Sequence, residues 1–112
     1  MEECIFCRIV KKEISAAVVY EDEEILAFTD IAPQAPVHIQ VIPKAHIPAL
    51  AAVKDYAIMG KLIRVLNQLA KENGVDQSGY RTVINNGRAA GQAVDHLHLH
   101  LLGGRPFRWP PG

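Results

Sequence analysis

Residues 96–102 alternate histidine with leucine, and this pattern constrains the fold more than any other feature of the 112-residue chain. Successive side chains of a β-strand point to opposite faces. The leucines would therefore enter a core, while His96, His98 and His100 would share the other face. A plain solvent-facing strand would carry Thr, Lys or Glu at such positions. Because imidazole acts at neutral pH as nucleophile, acid, base or metal ligand, this strand is the predicted centre of chemistry.

The other patterns of the chain predict a single α+β domain over residues 1–112. Apolar runs bounded by proline or polar turn residues indicate four further strands, and apolar residues at helical spacing indicate one long helix. We expect a mostly antiparallel five-stranded sheet, the long helix and a short N-terminal helix. The predicted strands cover residues 18–21, 25–29, 37–42 and 80–85, the long helix residues 54–73 and the short helix residues 4–12.

Composition narrows the classes of partner. Twelve acidic residues balance twelve basic ones, so no bulk charge draws the chain to nucleic acid or to an anionic membrane. The acidic start differs from a secretory signal, and no apolar run approaches the ~20 residues that a membrane span needs. We therefore expect a cytoplasmic protein with neither nucleic-acid nor membrane partners.

The residues leave two chemical interpretations of the histidine strand open. In one, the imidazoles bind a hydrolytic metal ion, which would keep an open coordination position beside an acid–base carboxylate. In the other, His98 attacks phosphorus as a nucleophile while its neighbours handle protons and charge. The preceding loop favours the second interpretation, because its glycines let the backbone approach an anion, and Asn85 and Gln92 add neutral donors.

Further segments on both sides of the histidine strand carry a family resemblance. Three histidines alternating with apolar residues match the histidine triad motif. Together with the flanking segments, this motif makes the chain resemble the histidine triad (HIT) family and, within that family, the nucleotide-binding branch. The resemblance extends along nearly the whole chain. This resemblance implies the HIT fold. The flanking matches are residues 30–38, 41–46, 91–92, 103–105 and the closing Trp-Pro-Pro-Gly of residues 109–112.

The resemblance implies a purine nucleoside phosphoramidase that hydrolyses adducts of AMP with amines. His98 would form a nucleotidyl-histidine, and His100 and His38 would orient it and relay protons. A histidine with a pKa near 6.5 would supply the proton that a departing amine needs. Animal members commonly have a serine where this chain has alanine, so a hydroxyl donor is missing there. The residues that the resemblance places around the phosphate are Asn85, Gly91, Gln92 and Ala93.

A nucleoside pocket is predicted beside the phosphate site. Asp30 follows a predicted strand, and a carboxylate accepts hydrogen bonds from vicinal ribose hydroxyls. By the resemblance, Asp30 binds ribose and four apolar side chains enclose the base. The ligand would be a purine nucleotide such as AMP, and no residue distinguishes adenine from guanine. The four apolar residues are Ile5, Phe6, Phe28 and Ile31.

The Cys4-x-x-Cys7 pair has the spacing of half a tetrahedral zinc site. Packed thiols are the alternative, and the surroundings of a thioredoxin-like redox pair are absent. Zinc-bearing members of the wider family imply His46 and His96 as the other two ligands. Four protein ligands would make the zinc structural, and we expect no organic cofactor.

The C-terminal residues 105–112 place two aromatic side chains among prolines, a composition that disfavours regular structure. By the resemblance, this tail crosses to a partner subunit near its active site, so we expect a homodimer in which Trp109 shapes leaving-group specificity. Two other functions stay open: a dinucleoside polyphosphate hydrolase, and a non-catalytic nucleotide-binding or scaffold protein. A nucleotidyltransferase is disfavoured, because related transferases have glutamine where this chain has His100.

Overall fold

The computed structural model describes residues 3–112 and contains one five-stranded sheet with a long and a short helix. The strands run in the order β1-β2-β3-β5-β4, and every neighbouring pair is antiparallel. The predicted α+β fold is confirmed. The elements are α1 (Ile5–Val10), β1 (Val18–Glu21), β2 (Ile25–Thr29), β3 (Val37–Pro43), α2 (Ala57–Glu72), β4 (Tyr80–Val83) and β5 (Leu99–Gly103), with 3₁₀ turns at Leu50–Ala52 and Arg88–Ala90.

Helix α2 covers one face of the sheet with an apolar stripe. Its residues Leu62, Leu66 and Leu69 are buried and belong to the same core cluster as Leu99 and Leu101 of β5. Each such leucine stabilises the fold by roughly 1.5–3 kcal/mol. The predicted direction of the leucines, into the core, is therefore confirmed. In the part of the chain that the structure describes, no helix combines the length and apolarity that a membrane crossing requires.

Helix α1 packs against the opposite face of the sheet. Phe6 and Ile9 form a second apolar cluster with Leu26 and Phe28 of β2 and with Ile42 of β3. Strand β2 is consequently buried on both faces, which explains why it reads as a continuous apolar run instead of an alternation. The sheet thus lies between the two helices, and the face towards α1 also carries the histidines.

The two edges of the sheet differ in regularity. The pairing of β1 with β2 shifts register between Val18 and Tyr20, as at a β-bulge. Strand β4 at the other edge pairs with β5 in continuous register from Tyr80 to Val83. A regular outer row of backbone groups therefore lies on the β4 side.

The histidine strand begins later than the sequence predicts. Its ladder starts at Leu99, so that His96 and His98 precede the sheet. The cause is local bonding, because Leu97 N–H donates to the Ile47 carbonyl at 2.7 Å, and His98 Nδ1 lies 2.6 Å from the His96 carbonyl oxygen. His96 and His98 therefore lie outside the ladder, but the three imidazoles still point away from the core that Leu97, Leu99 and Leu101 enter, and the Phe6 ring packs against both His96 and His98.

Several other boundaries also differ from prediction: the short helix expected at residues 4–12 spans Ile5–Val10, and the strand expected at residues 37–42 continues to Pro43. Helix α2 begins at Ala57 instead of residue 54, because the Asp55 carboxylate accepts the Ala57 N–H at 3.0 Å before the first turn. Strand β4 ends at Val83 and not at Asn85, and its pairing with β5 stops there, opposite His100.

We predict that the same substitution, glycine to alanine, has opposite effects on stability at two positions of the chain. A Cβ atom at Gly103 would lie 2.8 Å from buried Val75, so Gly103→Ala should lower the free energy of unfolding by about 1–3 kcal/mol. A Cβ atom at Gly60, within α2, meets nothing within 4 Å, so Gly60→Ala should raise it by ~1 kcal/mol. Urea denaturation measures both. A stabilised Gly103→Ala variant would contradict the packing of Val75 against β5.

Candidate active site and metal centre

His38, His98 and His100 form a cluster at the centre of the sheet. Strands β3 and β5 pair with His38 opposite Leu102 and Gln40 opposite His100. His38 Nε2 lies 2.9 Å from His100 Nδ1, and the rings of His98 and His100 have centroids 5.0 Å apart. The structure therefore brings together the three histidines that the sequence singles out for phosphorus chemistry.

Backbone groups fix the proton positions of the His38–His100 pair. The Gln34 N–H donates to His38 Nδ1 at 3.0 Å, so this nitrogen carries a lone pair. The proton of neutral His38 is then on Nε2, from which it is donated to His100 Nδ1. His100 in turn carries its proton on Nε2, which presents an N–H group away from the pair.

A backbone carbonyl fixes His98 in the opposite tautomer. His98 Nδ1 lies 2.6 Å from the His96 carbonyl oxygen, which only accepts hydrogen bonds. His98 therefore carries its proton on Nδ1 and a free lone pair on Nε2. The ring is buried, with the Phe6 ring edge-on at a centroid distance of 5.3 Å. His98 is thus held with its Nε2 lone pair free of any bond to the backbone.

Burial keeps two of the imidazoles neutral. Desolvation, followed by the neighbouring rings of His98 and His38, lowers the pKa of His100 to about 4, and the Asp30 carboxylate only partly opposes this. Desolvation also lowers the pKa of His38, again against the effect of Asp30. At neutral pH His100 is therefore uncharged and can donate a hydrogen bond from its Nε2–H.

Asp30 lies beside this pair and is itself well bonded. Its Oδ1 accepts the Ala32 N–H at 2.8 Å, and its Oδ2 accepts an N–H of the Gln40 side chain at 2.8 Å. Desolvation raises the pKa of Asp30, but these two hydrogen bonds and the nearby His38 outweigh it, so the pKa is lowered. Asp30 is therefore a carboxylate at neutral pH and keeps lone pairs for a ligand.

Gln40 and Gln34 are the residues that sequence reasoning missed. Gln40 lies two positions after His38 on β3, so both side chains belong to the same face of the strand. A polar residue at that spacing within an apolar strand was the available signal. Gln34 acts through its backbone, and the sequence carries no signal of that kind.

The residues predicted to enclose the base are only partly assembled. Phe6 and Phe28 are buried and pack edge-to-face with centroids 5.3 Å apart, directly beside His98. Ile5 is 48% exposed, and Ile31 is fully exposed. The two phenylalanines therefore form an apolar wall next to the histidines, whereas Ile31 contacts nothing that would hold a base from the other side.

Gln92 is held inside the loop that precedes β5. Its Oε1 accepts the Gly87 N–H at 2.8 Å, and its Nε2 donates to the carbonyls of Pro48 and Val94 at 2.8 and 3.0 Å. Both amide hydrogens are therefore used, which corrects the prediction that this side chain contacts phosphate. Gly91, at a φ of 89°, turns the same loop, with half-buried Asn85 before it and exposed Ala93 after it.

The C-terminal tail packs on the body of the chain as far as Arg108, whose carbonyl accepts a hydrogen bond from Arg81 at 2.9 Å. The Phe107 ring lies under the guanidinium groups of Arg105 and Arg81, at 4.3 and 5.2 Å from its centroid. Arg105 also donates to the Gln34 carbonyl at 3.0 Å. Trp109 beyond this contact is 83% exposed, so its indole is available to another molecule.

Cys4, Cys7, His46 and His96 form a second cluster with the geometry of a metal centre. Ligands of tetrahedral zinc, at ~2.3 Å for sulfur and ~2.1 Å for nitrogen, place sulfur and nitrogen about 3.6 Å apart. Here the distances are 3.2 Å for Cys7–His46, 3.4 Å for Cys4–His96 and 3.5 Å for Cys7–His96, each between Sγ and Nδ1. The four residues therefore fit a zinc ion.

The surroundings of the cluster also suit a cation. His96 Nε2 lies 2.8 Å from the Pro43 carbonyl, which places the proton on Nε2 and turns the Nδ1 lone pair towards the sulfur atoms. Burial, followed by the hydrogen bond with Cys4, raises the pKa of the Cys7 thiol. A bound cation would reverse this effect by stabilising the thiolate.

A second group of possible ligands, Asp30, His38 and His100, does not fit a metal. The three side chains lie close enough together, with ligand atoms within 4.8 Å of one another. Because the Gln34 N–H occupies His38 Nδ1, however, the His38 proton is on the nitrogen that would have to bind the ion. The geometry therefore disfavours the hydrolytic-metal interpretation of the histidines.

Comparison with known proteins agrees with this arrangement. The family model for the HIT domain matches residues 11–107. A 14 kDa zinc-binding protein of Zea mays is 51% identical, covering 96% of this chain and 87% of its own length. A HIT family hydrolase from Legionella pneumophila has a TM-score of 0.96 at 47% identity, covering 98% of this chain and 100% of its own. A histidine triad nucleotide-binding protein from Candida albicans has a TM-score of 0.85 at 34% identity, with coverage of 98% and 85%.

The matched range contains the three histidines of the cluster together with Asp30. The resemblance inferred from the histidine–leucine alternation is therefore confirmed at the level of the family. By its sequence, its topology and its site, the protein belongs to the HIT domain family.

Proposed function

We propose that this protein hydrolyses purine nucleoside 5′-phosphoramidates, adducts of AMP with an amine, through a nucleotidyl-histidine on His98. The observation that carries the proposal is the 2.6 Å contact of His98 Nδ1 with the His96 carbonyl, which leaves Nε2 as a buried, oriented lone pair. Membership of a family with hydrolases and nucleotide-binding proteins among its solved structures supports it.

In the first step, His98 Nε2 attacks phosphorus and the bond from phosphorus to the amine nitrogen breaks. The electron pair of that bond stays on the amine, which departs after taking up a proton. His100, uncharged and bonded through Nδ1 to His38, turns its Nε2–H towards the reacting group. It donates a hydrogen bond to the phosphoryl oxygens, which stabilises their negative charge, and it relays a proton from solvent to the leaving nitrogen, so that His100 itself is neutral at the end of the step.

In the second step, a water molecule attacks phosphorus and the phosphorus–Nε2 bond breaks. The electron pair returns to His98 Nε2, AMP leaves, and the proton released by the attacking water passes to solvent, which balances the proton that the amine took up in the first step. The carbonyl of His96 holds the Nδ1–H throughout, so the ring keeps one orientation through both displacements.

The nucleoside would extend from His98 across the sheet. Asp30, an acceptor with lone pairs to spare, would bind the ribose hydroxyls. The base would lie against Phe6 and Phe28, with Ile5 and Ile31 closing over it once the ligand is present. Asn85 and the backbone at Gly91 and Ala93 would contact the phosphate, and Gln92 would hold their loop in place.

A structural zinc ion on Cys4, Cys7, His46 and His96 is part of the proposal. The four side chains fit the ion, and the maize relative is named as a zinc-binding protein. The ion would tie α1, which carries Phe6, to the segment that presents His98. Bound zinc would supply stability to this junction and leave the phosphorus chemistry to the histidines.

A homodimer is the assembly that we propose. Strand β4 ends the sheet with a regular row of backbone groups, and the exposed Tyr80 lies at the same edge. Trp109 is exposed on a tail whose contacts with the body of the chain end at Arg108. Across a two-fold axis, such a tail would reach the partner's active site and contact the departing amine.

We predict that His98→Ala lowers kcat for an AMP–amine adduct by about 10⁴-fold or more, because the variant has no nucleophile. Binding of AMP, measured by calorimetry, should persist. His100→Ala should lower kcat by roughly 10²–10⁴-fold yet still form the adduct. Acid-quenched single turnovers followed by intact mass measurement detect AMP on the protein.

Turnover of different substrates distinguishes the proposed phosphoramidase from a dinucleoside polyphosphate hydrolase and from a nucleotide-binding protein. Faster turnover of a diadenosine polyphosphate than of the AMP–amine adduct would replace the phosphoramidase assignment by a dinucleotide hydrolase. Nucleotide binding without turnover or covalent adduct would indicate a binding protein. Full activity of His98→Ala would refute the mechanism.

We predict that protein purified without chelator contains about one zinc per chain by elemental analysis. The double variant Cys4→Ser, Cys7→Ser should lose the metal and melt roughly 10 °C lower, because zinc binding contributes to folding stability. At saturating substrate its kcat should change much less than its Tm. Chelation should lower the Tm of the parent protein and leave that of the variant unchanged; no effect on the parent would mean packed thiols.

We predict that the full chain sediments as a dimer at micromolar concentration. Removal of residues 105–112 should weaken the dimer, whereas Trp109→Ala should keep it and change the ratio of kcat/KM between a small and a bulky amine leaving group. A monomeric full chain, or a Trp109→Ala variant with an unchanged ratio, would contradict the placement of the tail.

A further inference from the structure

Gln40 has an unusual bonding pattern among the residues that the structure describes. Its Nε2 donates to Asp30 Oδ2 at 2.8 Å, while its Oε1 is buried without any hydrogen-bond partner. Burying an acceptor without a donor is unfavourable. The amide keeps this orientation because its reversal would set two oxygen atoms, one of them ionised, against each other. The contact with Asp30 therefore determines how the side chain lies.

The hydrogen bond that Gln40 donates is accepted by Asp30 Oδ2, an oxygen atom that also faces His38. Asp30 Oδ2 is 3.4 Å from His38 Nε2, which is itself 2.9 Å from His100 Nδ1. The single proton on His38 Nε2 thus has two candidate acceptors, a carboxylate oxygen and an imidazole nitrogen. A carboxylate is the stronger acceptor of the two when nothing else occupies it.

We propose that Gln40 is a positioning residue that decides this competition. By donating to Asp30 Oδ2, it holds the carboxylate away from His38 and leaves the His38 proton to His100. The same bond keeps Asp30 free for a neutral ligand hydroxyl. What this means for catalysis rests on the proposed function, whereas the hydrogen-bond competition itself does not.

The groups that face His38 come from three segments of the chain. Asp30 follows β2, His100 belongs to β5, and the Gln34 N–H comes from the loop before β3. His98 acts on this pair only through its contact with the His100 ring. Among these groups Asp30 is the one negative charge, so a closer Asp30 favours protonated His38.

Loss of the Gln40 donor should therefore raise the pKa of His38. In Gln40→Leu, Asp30 Oδ2 would take the Nε2–H of His38, and the pKa of His38 should rise by about one unit. Nitrogen-15 NMR of the histidine rings follows this titration without substrate. Because the mechanism uses neutral His38, the acid limb of the kcat–pH profile should move to higher pH by the same amount.

A second substitution isolates the cause. In Gln40→Leu combined with Asp30→Asn, no carboxylate remains to capture the proton, so the pKa of His38 should return to the parent value or below it. Gln40→Met provides an independent variant that keeps the side-chain length. Gln68→Leu is the matched control, because that amide bonds only Glu72 on the exposed side of α2.

An unchanged pKa of His38 in both Gln40 variants would overturn the proposal. A rise that persists after Asp30→Asn would overturn it as well, because Gln40 would then act by another route. Failure of the parent protein to cleave an AMP–amine adduct would refute the proposed function, while the NMR titration would still decide the role of Gln40.

Discussion

The antiparallel pairing of β3 with β5 is the constraint on which the rest of the molecule depends. This register places the side chains of Ile39, Val41, Leu99 and Leu101 towards α2 and leaves His38, Gln40 and His100 on the other face. A shift by one residue would exchange the two sets, and both the core and the histidine cluster would be lost. The same pair of strands therefore supplies core residues on one face of the sheet and the histidine cluster on the other.

Main-chain groups, more than side chains, determine the tautomer of these imidazoles. A backbone N–H from Gln34 and a backbone carbonyl from His96 put His38 and His98 into different tautomers. Main-chain donors and acceptors do not titrate, so these tautomers hold wherever the two imidazoles are neutral. Neighbouring histidines of identical chemistry acquire different roles because their peptide neighbours differ.

Much of this arrangement could be predicted from the sequence, because periodicity reports which face a residue occupies. The strand that carries His38 and the leucine core are of this kind, whereas the meeting of Cys4 and Cys7 with His46 and His96 was expected from the family resemblance. What the sequence could not reveal depends on contacts made after folding. The late start of β5, the internal bonds of Gln92 and the tautomer of His38 are set by carbonyl and N–H groups that have no sequence signature.

The difference between the two edges of the sheet affects how many subunits could join it. In the proposed dimer, association through β4 about a two-fold axis would cover the regular edge of both subunits and leave only β1 at each end of the enlarged sheet. There the register shift between Val18 and Tyr20 interrupts the row of backbone groups that a further strand would need, although the neighbouring valines are exposed. Such an assembly is closed: it stops at two copies and does not extend into a fibre.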